Sequence, residues 1–226
     1  STPCGTLFPT RRSSDLPGKW KVAEIGCGNG VVAHQFSGRF DVRVDGFDLN
    51  TVALKIGSKM FPENNFYCYD IHERRASLHE KYDCIILFDV LEHIDDEDGF
   101  LASVRHHLKP GGLLAVNVPA LESLYSTYDR VNGHKRRYTR RALENVIRRT
   151  GWVCRSWTYW GMWYVPLLYA RKWRFAHVTD DSVMRKGFAP PHSAMNRVLY
   201  HMGALEPFPN RWAGTSLMCL LENSHD

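Results

Sequence analysis

The sequence predicts a doubly wound α/β fold, and three observations carry the prediction. A short apolar run, Val22 to Ile25, ends in glycines at 26, 28 and 30, and a helical pattern follows at once. Strand-like and helix-like segments then alternate five times. Acids close successive strands, at Asp48, Asp70 and Asp89. Such alternation builds a parallel sheet with helices on both faces, and its ligand lies beyond the carboxyl ends of the strands.

The elements follow in order. Val22–Ile25 is a buried strand, because its run is apolar without alternation. The glycines let backbone N–H groups approach a ligand, and Val31, Val32, Ala33 and Phe36 open a helix whose N-terminus faces it. Residues 41–48 form the second strand, residues 51–59 a helix, and residues 65–69 the third strand, ending at Asp70-Ile71. Residues 81–89 carry the strongest buried-strand pattern, running directly into Val90-Leu91-Glu92-His93-Ile94. Asp95, Asp96 and Glu97 open a helix that the dipole favours, and Lys109-Pro110-Gly111-Gly112 stops it. Residues 113–118 form the fifth strand. Thr139 caps a helix over 140–149. Residues 151–160 are a sixth strand, 179–193 a loop, 194–204 a short helix, and 214–222 a last strand.

Composition narrows the function. The chain has 226 residues, 44% apolar and 23% charged, with a net charge of +5. That suits one globular domain. No stretch of 18 apolar residues exists to span a bilayer. The six cysteines form no C-x-x-C pair, which points to reduced thiols and a cytoplasmic setting. No metal-ligand cluster is visible in the spacing, so the expected metal set is none.

The glycine turn discriminates between nucleotide ligands. Dinucleotide binders use G-x-G-x-x-G with a small sixth residue. Here the third glycine comes one residue early and position 31 is valine, which counts against NAD and FAD. Glu24-x-Gly26-x-Gly28-x-Gly30 resembles motif I of class I S-adenosylmethionine (SAM) dependent methyltransferases. Asp89-Val90-Leu91-Glu92-His93-Ile94 is similar to the strand-4 motif of their ubiquinone/menaquinone-type subgroup. Leu108-Lys109-Pro110-Gly111-Gly112 resembles the motif before strand 5.

The resemblance implies a seven-stranded Rossmann-like sheet in the order 3-2-1-4-5-7-6, with an aromatic-rich insertion between strands 6 and 7. It implies S-adenosyl-L-methionine as cofactor. Glu24, Gly26, Cys27, Gly28 and Gly30 would meet its methionine part, and Asp48 with Leu49 its ribose. Asp70 and Ile71 would meet the adenine, and Asp89, Val90 and His93 would line the cleft. An acid at the end of strand 2 can accept both ribose hydroxyls, which gives Asp48 its role on chemical grounds as well.

Residues 119–138 follow the fifth strand, where this family builds its acceptor pocket. Tyr128, His134, Arg136, Arg137 and Tyr138 are the candidate substrate contacts. Gly133-His134-x-Arg136-Arg137-Tyr138-Thr139 resembles a segment of family members encoded near glycan and lipid-glycan genes. The expected reaction is methyl transfer to a small-molecule, glycan or lipid-linked acceptor, at oxygen, with His134 or His93 as base because imidazole titrates near neutrality. Seven Lys or Arg and one acid lie between 135 and 149. They read either as a solvated helix face or as a clamp on an anionic acceptor. Two other functions stay open: RNA methylation along that basic track, and SAM binding or membrane docking without catalysis. No DNA partner is expected.

Five of the seven tryptophans fall between 152 and 173, and residues 156–170 carry no charge. This segment, 156–174 with its terminal cations, reads as a lid on the acceptor pocket or as a peripheral membrane contact. Residues 1–16 lack periodicity and resemble translated sequencing-adapter read-through, so they are expected to be a non-native or disordered tail. A single methyltransferase domain would then occupy 17–226, with acceptor-binding insertions at 119–138 and 161–204.

Overall fold

The computed structural model describes residues 20–174, 197, 201, 203, 205–207 and 209–224. The tail expected over 1–16 and the loop expected over 179–193 lie outside the described residues. Of the helix expected over 194–204, only Arg197, His201 and Gly203 are described, and all three are helical.

Seven strands form one sheet: β1 (Val22–Ile25), β2 (Val44–Asp48), β3 (Asn65–Cys68), β4 (Tyr82–Phe88), β5 (Leu108–Pro119), β6 (Val153–Trp160) and β7 (Ser216–Glu222). Their order is β3-β2-β1-β4-β5-β7-β6, as expected. β1 to β5 pair in parallel, and β7 enters antiparallel between β5 and β6. The helices are α1 (Val31–Phe40), α2 (Thr51–Met60), α3 (Glu97–His107), α4 (Thr127–Val131), α5 (Arg140–Arg149) and α6 (Val165–Arg174).

β4 shows why its sequence lacks alternation. Ile85 and Leu87 point into the core cluster that also holds Phe100, Leu101 and Val104 of α3 and Leu143 and Val146 of α5. Cys84 and Ile86 point into the opposite cluster, with Ala33, Phe36 and Phe40 of α1. A strand covered on both faces needs apolar residues at every position.

Two local expectations are corrected. The fifth strand begins at Leu108 rather than after the glycines, because Lys109–Gly112 forms a bulge inside it. The register with β4 jumps from Tyr82↔Leu108 to Cys84↔Leu113. The bulge is tied down by Gly111 N–H to Asn223 O, 2.7 Å, and by Lys109 Nζ to Asp83, 2.6 Å. The second strand starts at Val44, three residues late, because Asp41 ends α1 in a left-handed conformation. The short helix α4 was invisible as periodicity. It exists because Ser126 and Asp129 form a reciprocal capping box.

Candidate active site

The crevice is built at the carboxyl end of β1. Gly26 N–H and Cys27 N–H both donate to Phe47 O, at 2.8 and 3.1 Å, which pins the glycine turn to β2. Asp48, closing β2, accepts from Gly28 N–H at 2.7 Å on Oδ2 and from Asn50 N–H at 2.7 Å on Oδ1. The acid therefore lies beside Gly28. Leu49 is exposed next to it. Asp70 caps a short 3₁₀ turn by accepting from His72 N–H at 2.9 Å, while Ile71 is buried in the core. Val90 abuts the turn from β4: its Cγ2 lies 2.3 Å from where a Cβ on Gly26 would stand.

Glu24 is buried, and its Oε2 has no hydrogen-bond partner. Burial pushes its carboxyl up to about 8, against a backbone hydrogen bond from Ala33 and with the Asp48 charge adding to the rise. An orphaned carboxylate oxygen under the turn is what a cationic ligand would complete. Burial likewise pushes the Cys27 thiol up, so it stays protonated and serves packing.

Two glycines of the turn do different jobs. Gly30, at φ +79°, would place a Cβ 2.4 Å from the Phe66 ring. Gly28, at φ +52°, would place one in open space. Gly30→Ala is therefore expected to cost roughly 2–5 kcal/mol, the sum of a left-handed alanine and overpacking. Gly28→Ala is expected to cost about 1–2 kcal/mol of stability but to project its methyl into the ligand's space. Urea unfolding beside SAM calorimetry checks the contrast. Equal stability losses at both positions would contradict it.

The second half of the site is organised around Asp129 of α4, whose side chain is fully buried. Oδ2 accepts from Ser126 N–H and Oγ–H, at 2.9 and 3.0 Å. Oδ1 faces Arg137 Nε at 2.8 Å and His134 Nδ1 at 3.2 Å. Burial alone would raise this carboxyl, but the hydrogen bonds from His134, Arg137 and Ser126 outweigh it and hold it at about 2. His134 Nε2 stands 4.0 Å from Oε1 of Glu92, a fully buried acid. Burial pushes Glu92 up to about 7. The His93 and His134 rings meet edge-on with centroids 4.8 Å apart, and His93 Nδ1 lies 3.2 Å from Gly133 O. Burial and the neighbouring His134 lower the His93 pKa.

Asp89 ends β4 at φ +55° and accepts from Asn117 Nδ2 at 2.7 Å. Burial raises its pKa despite that bond. Asp89 and His134 border a cavity of about 260 Å³, together with Tyr128, Arg137, Arg171 and Lys172.

The expected substrate contacts divide. Tyr128, His134 and Arg137 border this cavity, although Arg137 is also bound to Asp129 and Ala120 O. Tyr138 does not border it. Its ring is buried and its hydroxyl donates to Glu97, 2.6 Å, and to Leu91 O, 3.2 Å, because a buried acid needs that donor. Arg136 does not border it either: it bonds Ile94 O at 3.0 Å and faces Glu97 at 3.3 Å. Both residues fasten the segment to the start of α3.

Sequence reasoning gave no site role to Glu92, Asp129 or Asn117, and it placed Arg171 and Lys172 only at the edge of the aromatic segment. The available signal for Asp129 was its place between Ser126 and His134. The spacing also suggested no metal-ligand cluster, whereas the fold brings ligand atoms of Glu92, His93 and His134 within 4.8 Å of one another.

Comparison with known proteins agrees with this geometry. The model of a family described as "Methyltransferase domain" matches residues 7–156. Trans-aconitate 2-methyltransferase of Deinococcus radiodurans is 35% identical over 102 residues, which cover 44% of this chain and 38% of that protein. Ubiquinone biosynthesis O-methyltransferase of Actinobacillus pleuropneumoniae is 30% identical over 112 residues, 46% of this chain and 47% of that protein. The chain spans less than half the length of these curated relatives. Among solved structures, phosphoethanolamine N-methyltransferase 2 of Haemonchus contortus, in complex with S-adenosyl-L-methionine, superposes with a TM-score of 0.62 at 16% identity. The match covers 98% of this chain and 51% of that one. An S-adenosylmethionine dependent methyltransferase of Mesorhizobium loti gives 0.59 at 13% identity, covering 92% and 93%. The family implies S-adenosyl-L-methionine as cofactor, and the orphaned Glu24 oxygen and the open space over Gly28 fit it. With that family's model matching some two thirds of its length, and with a seven-stranded sheet in the order 3-2-1-4-5-7-6, the chain belongs to the methyltransferase domain family.

Proposed function

We propose that this chain is a SAM-dependent O-methyltransferase whose acceptor is an anionic small molecule, glycan or lipid-linked sugar. The single observation that carries the reading is the placement of His134: its Nδ1 is pinned by Asp129, and it borders the same cavity as Asp89, at the end of β4 beside the glycine turn.

The cofactor, when bound, supplies an activated sulfonium methyl. The residues of the chain have the remaining work. Glu24, Gly28 and Asp48 hold the cofactor in place. His134, with Nδ1–H donated to Asp129, presents Nε2 as a base for an acceptor hydroxyl. Arg171 and Lys172 on the cavity wall favour a negatively charged acceptor. Alignment in a site shielded from water supplies most of the rate.

The RNA reading has less support. In α5, Arg140 pairs with Glu144, and Arg149 pairs with Glu97 and Asp98. These arginines are therefore committed within the chain rather than left as a phosphate track. A peripheral membrane contact is supported by the exposed Trp163, Leu167, Tyr169 and Trp173, beside Arg174. Among the described residues no helix is long and apolar enough to cross a membrane.

The test is incubation with SAM labelled on its methyl group and fractionated lipid, glycan and RNA extracts. The expected result is alkali-stable label in an acidic glycan or lipid-glycan fraction, lost in His134→Ala. Label confined to RNA, or tight SAM binding with no labelled product, would overturn the proposal.

A further inference from the structure

Glu92 stands out among the described residues because both of its carboxylate oxygens are orphaned, where Glu24 has one such oxygen. The Glu92 side chain is fully buried, and neither carboxylate oxygen has a hydrogen-bond partner. The other buried acids on this side of the molecule are partnered: Glu97 by Tyr138 and Arg149, Asp129 by Ser126, His134 and Arg137. A buried carboxyl without a partner costs free energy unless something outside the chain completes it.

The neighbours of Glu92 are two imidazoles, each held by its Nδ1. His134 Nδ1 faces Asp129 Oδ1, and His93 Nδ1 faces Gly133 O. Both partners are acceptors, so each Nδ1 carries the hydrogen, and in the neutral ring each Nε2 keeps its lone pair. This is the arrangement that orients histidine ligands in metal sites, with a carboxylate or carbonyl behind the ring. One atom from each of Glu92, His93 and His134 lies within 4.8 Å of the others. The two segments that supply them are tied together by Lys135 N–H to Glu92 O at 2.8 Å.

We propose that Glu92, His93 and His134 bind one divalent first-row transition-metal cation. The donor set of two imidazoles and one carboxylate suits zinc and its neighbours in the row rather than magnesium or calcium, which prefer oxygen. Ligand atoms around a tetrahedral ion stand about 3.3 Å apart at bond lengths near 2.0 Å. The His134–Glu92 separation of 4.0 Å needs to close by less than an ångström, and the wider separations in the set, up to 4.8 Å, by about 1.5 Å at most. The cation would answer the orphaned carboxylate, and Asp129 would move from a positioning role to that of a ligand's anchor. His134 also borders the acceptor cavity. If the methyl-transfer reading holds, an acceptor oxygen there would be acidified by the metal instead of being deprotonated by a free imidazole.

The experiment uses the full chain, stripped with chelator and titrated with Co²⁺ while its visible absorption is followed, then with Zn²⁺ in competition. The expected result is one equivalent bound, with a visible band of nitrogen and oxygen ligation that zinc abolishes. His93→Ala and Glu92→Gln should each weaken binding by about 100-fold or more, while His106→Ala leaves it unchanged. His134→Ala should do the same, with circular dichroism reporting whether it folds. His93→Ala carries the test alone if it does not, since His93 is only partly buried. Absence of a stoichiometric site, or binding that survives both His93→Ala and Glu92→Gln, would overturn the proposal. None of these readouts uses methyl transfer. A chain that binds adenosylhomocysteine but no metal would sink this proposal and leave the methyltransferase reading standing.

Discussion

Asp129→Ala is expected to lower the stability of the fold by about 3–5 kcal/mol, the range for breaking one side of a buried ion pair. The side chain is fully buried, and Arg137 beside it is only 10% exposed. Removing the carboxylate strands the guanidinium, frees His134 Nδ1, and dissolves the capping box that makes α4. The wall of the cavity that His134 and Arg137 border would loosen with it. The same acid sets a pH dependence. Its folded value is about 2 against an ordinary 3.8, so its contribution is fully present above the ordinary value. That contribution fades as pH falls from about 4 to 2, and amounts to about 2 kcal/mol. Urea unfolding at neutral pH and near pH 3 reads both effects. The wild-type chain should lose stability across that interval more steeply than Asp129→Ala. An alanine variant as stable as wild type at neutral pH would show that the cluster contributes nothing net.

Asp129 also marks the limit of what the chain reveals before folding. The sheet order, the buried β4 and the Thr139 cap on α5 follow from local pattern and from motifs within ten residues of each other. The glycine turn and Asp48 are legible too, because a strand-end acid after a glycine turn has a fixed place in this topology. The acceptor side is different. Glu92 and His134 are neighbours only because the segment after α4 folds back along the 3₁₀ turn that follows β4, and Lys135 N–H fastens it there. No periodicity encodes that return. The burial of Tyr138 was illegible for a related reason. Its place in a polar, basic run suggests a surface role, yet one buried acid, Glu97, takes its hydroxyl into the core. Composition indicates which residues could contact a ligand; the partner that claims a side chain decides whether they do.

Asp48→Ala is expected to weaken SAM and adenosylhomocysteine binding by roughly 10- to 150-fold, the equivalent of losing about 1.5–3 kcal/mol of charge-assisted hydrogen bonding. Two contributions enter. Each carboxylate oxygen already accepts one backbone N–H, from Gly28 or from Asn50, and keeps a second lone pair for a ribose hydroxyl. The alanine variant forfeits the ribose contacts and also releases Gly28 from its 2.7 Å anchor, so the turn that must lie against the methionine part loses its fixed shape. Asp48→Asn separates the two. An amide oxygen can still accept from Gly28, but it carries no charge for the ribose. It should fall between wild type and alanine in affinity, and it should lose some stability, because its NH2 then faces the Asn50 N–H that Asp48 accepted. Calorimetry with adenosylhomocysteine gives the affinities, and urea unfolding checks that the fold is kept. If Asp48→Ala binds as tightly as wild type, the nucleoside does not lie at the end of β2. The orphaned Glu24 oxygen would then need some cation other than a sulfonium or an ammonium group to explain it.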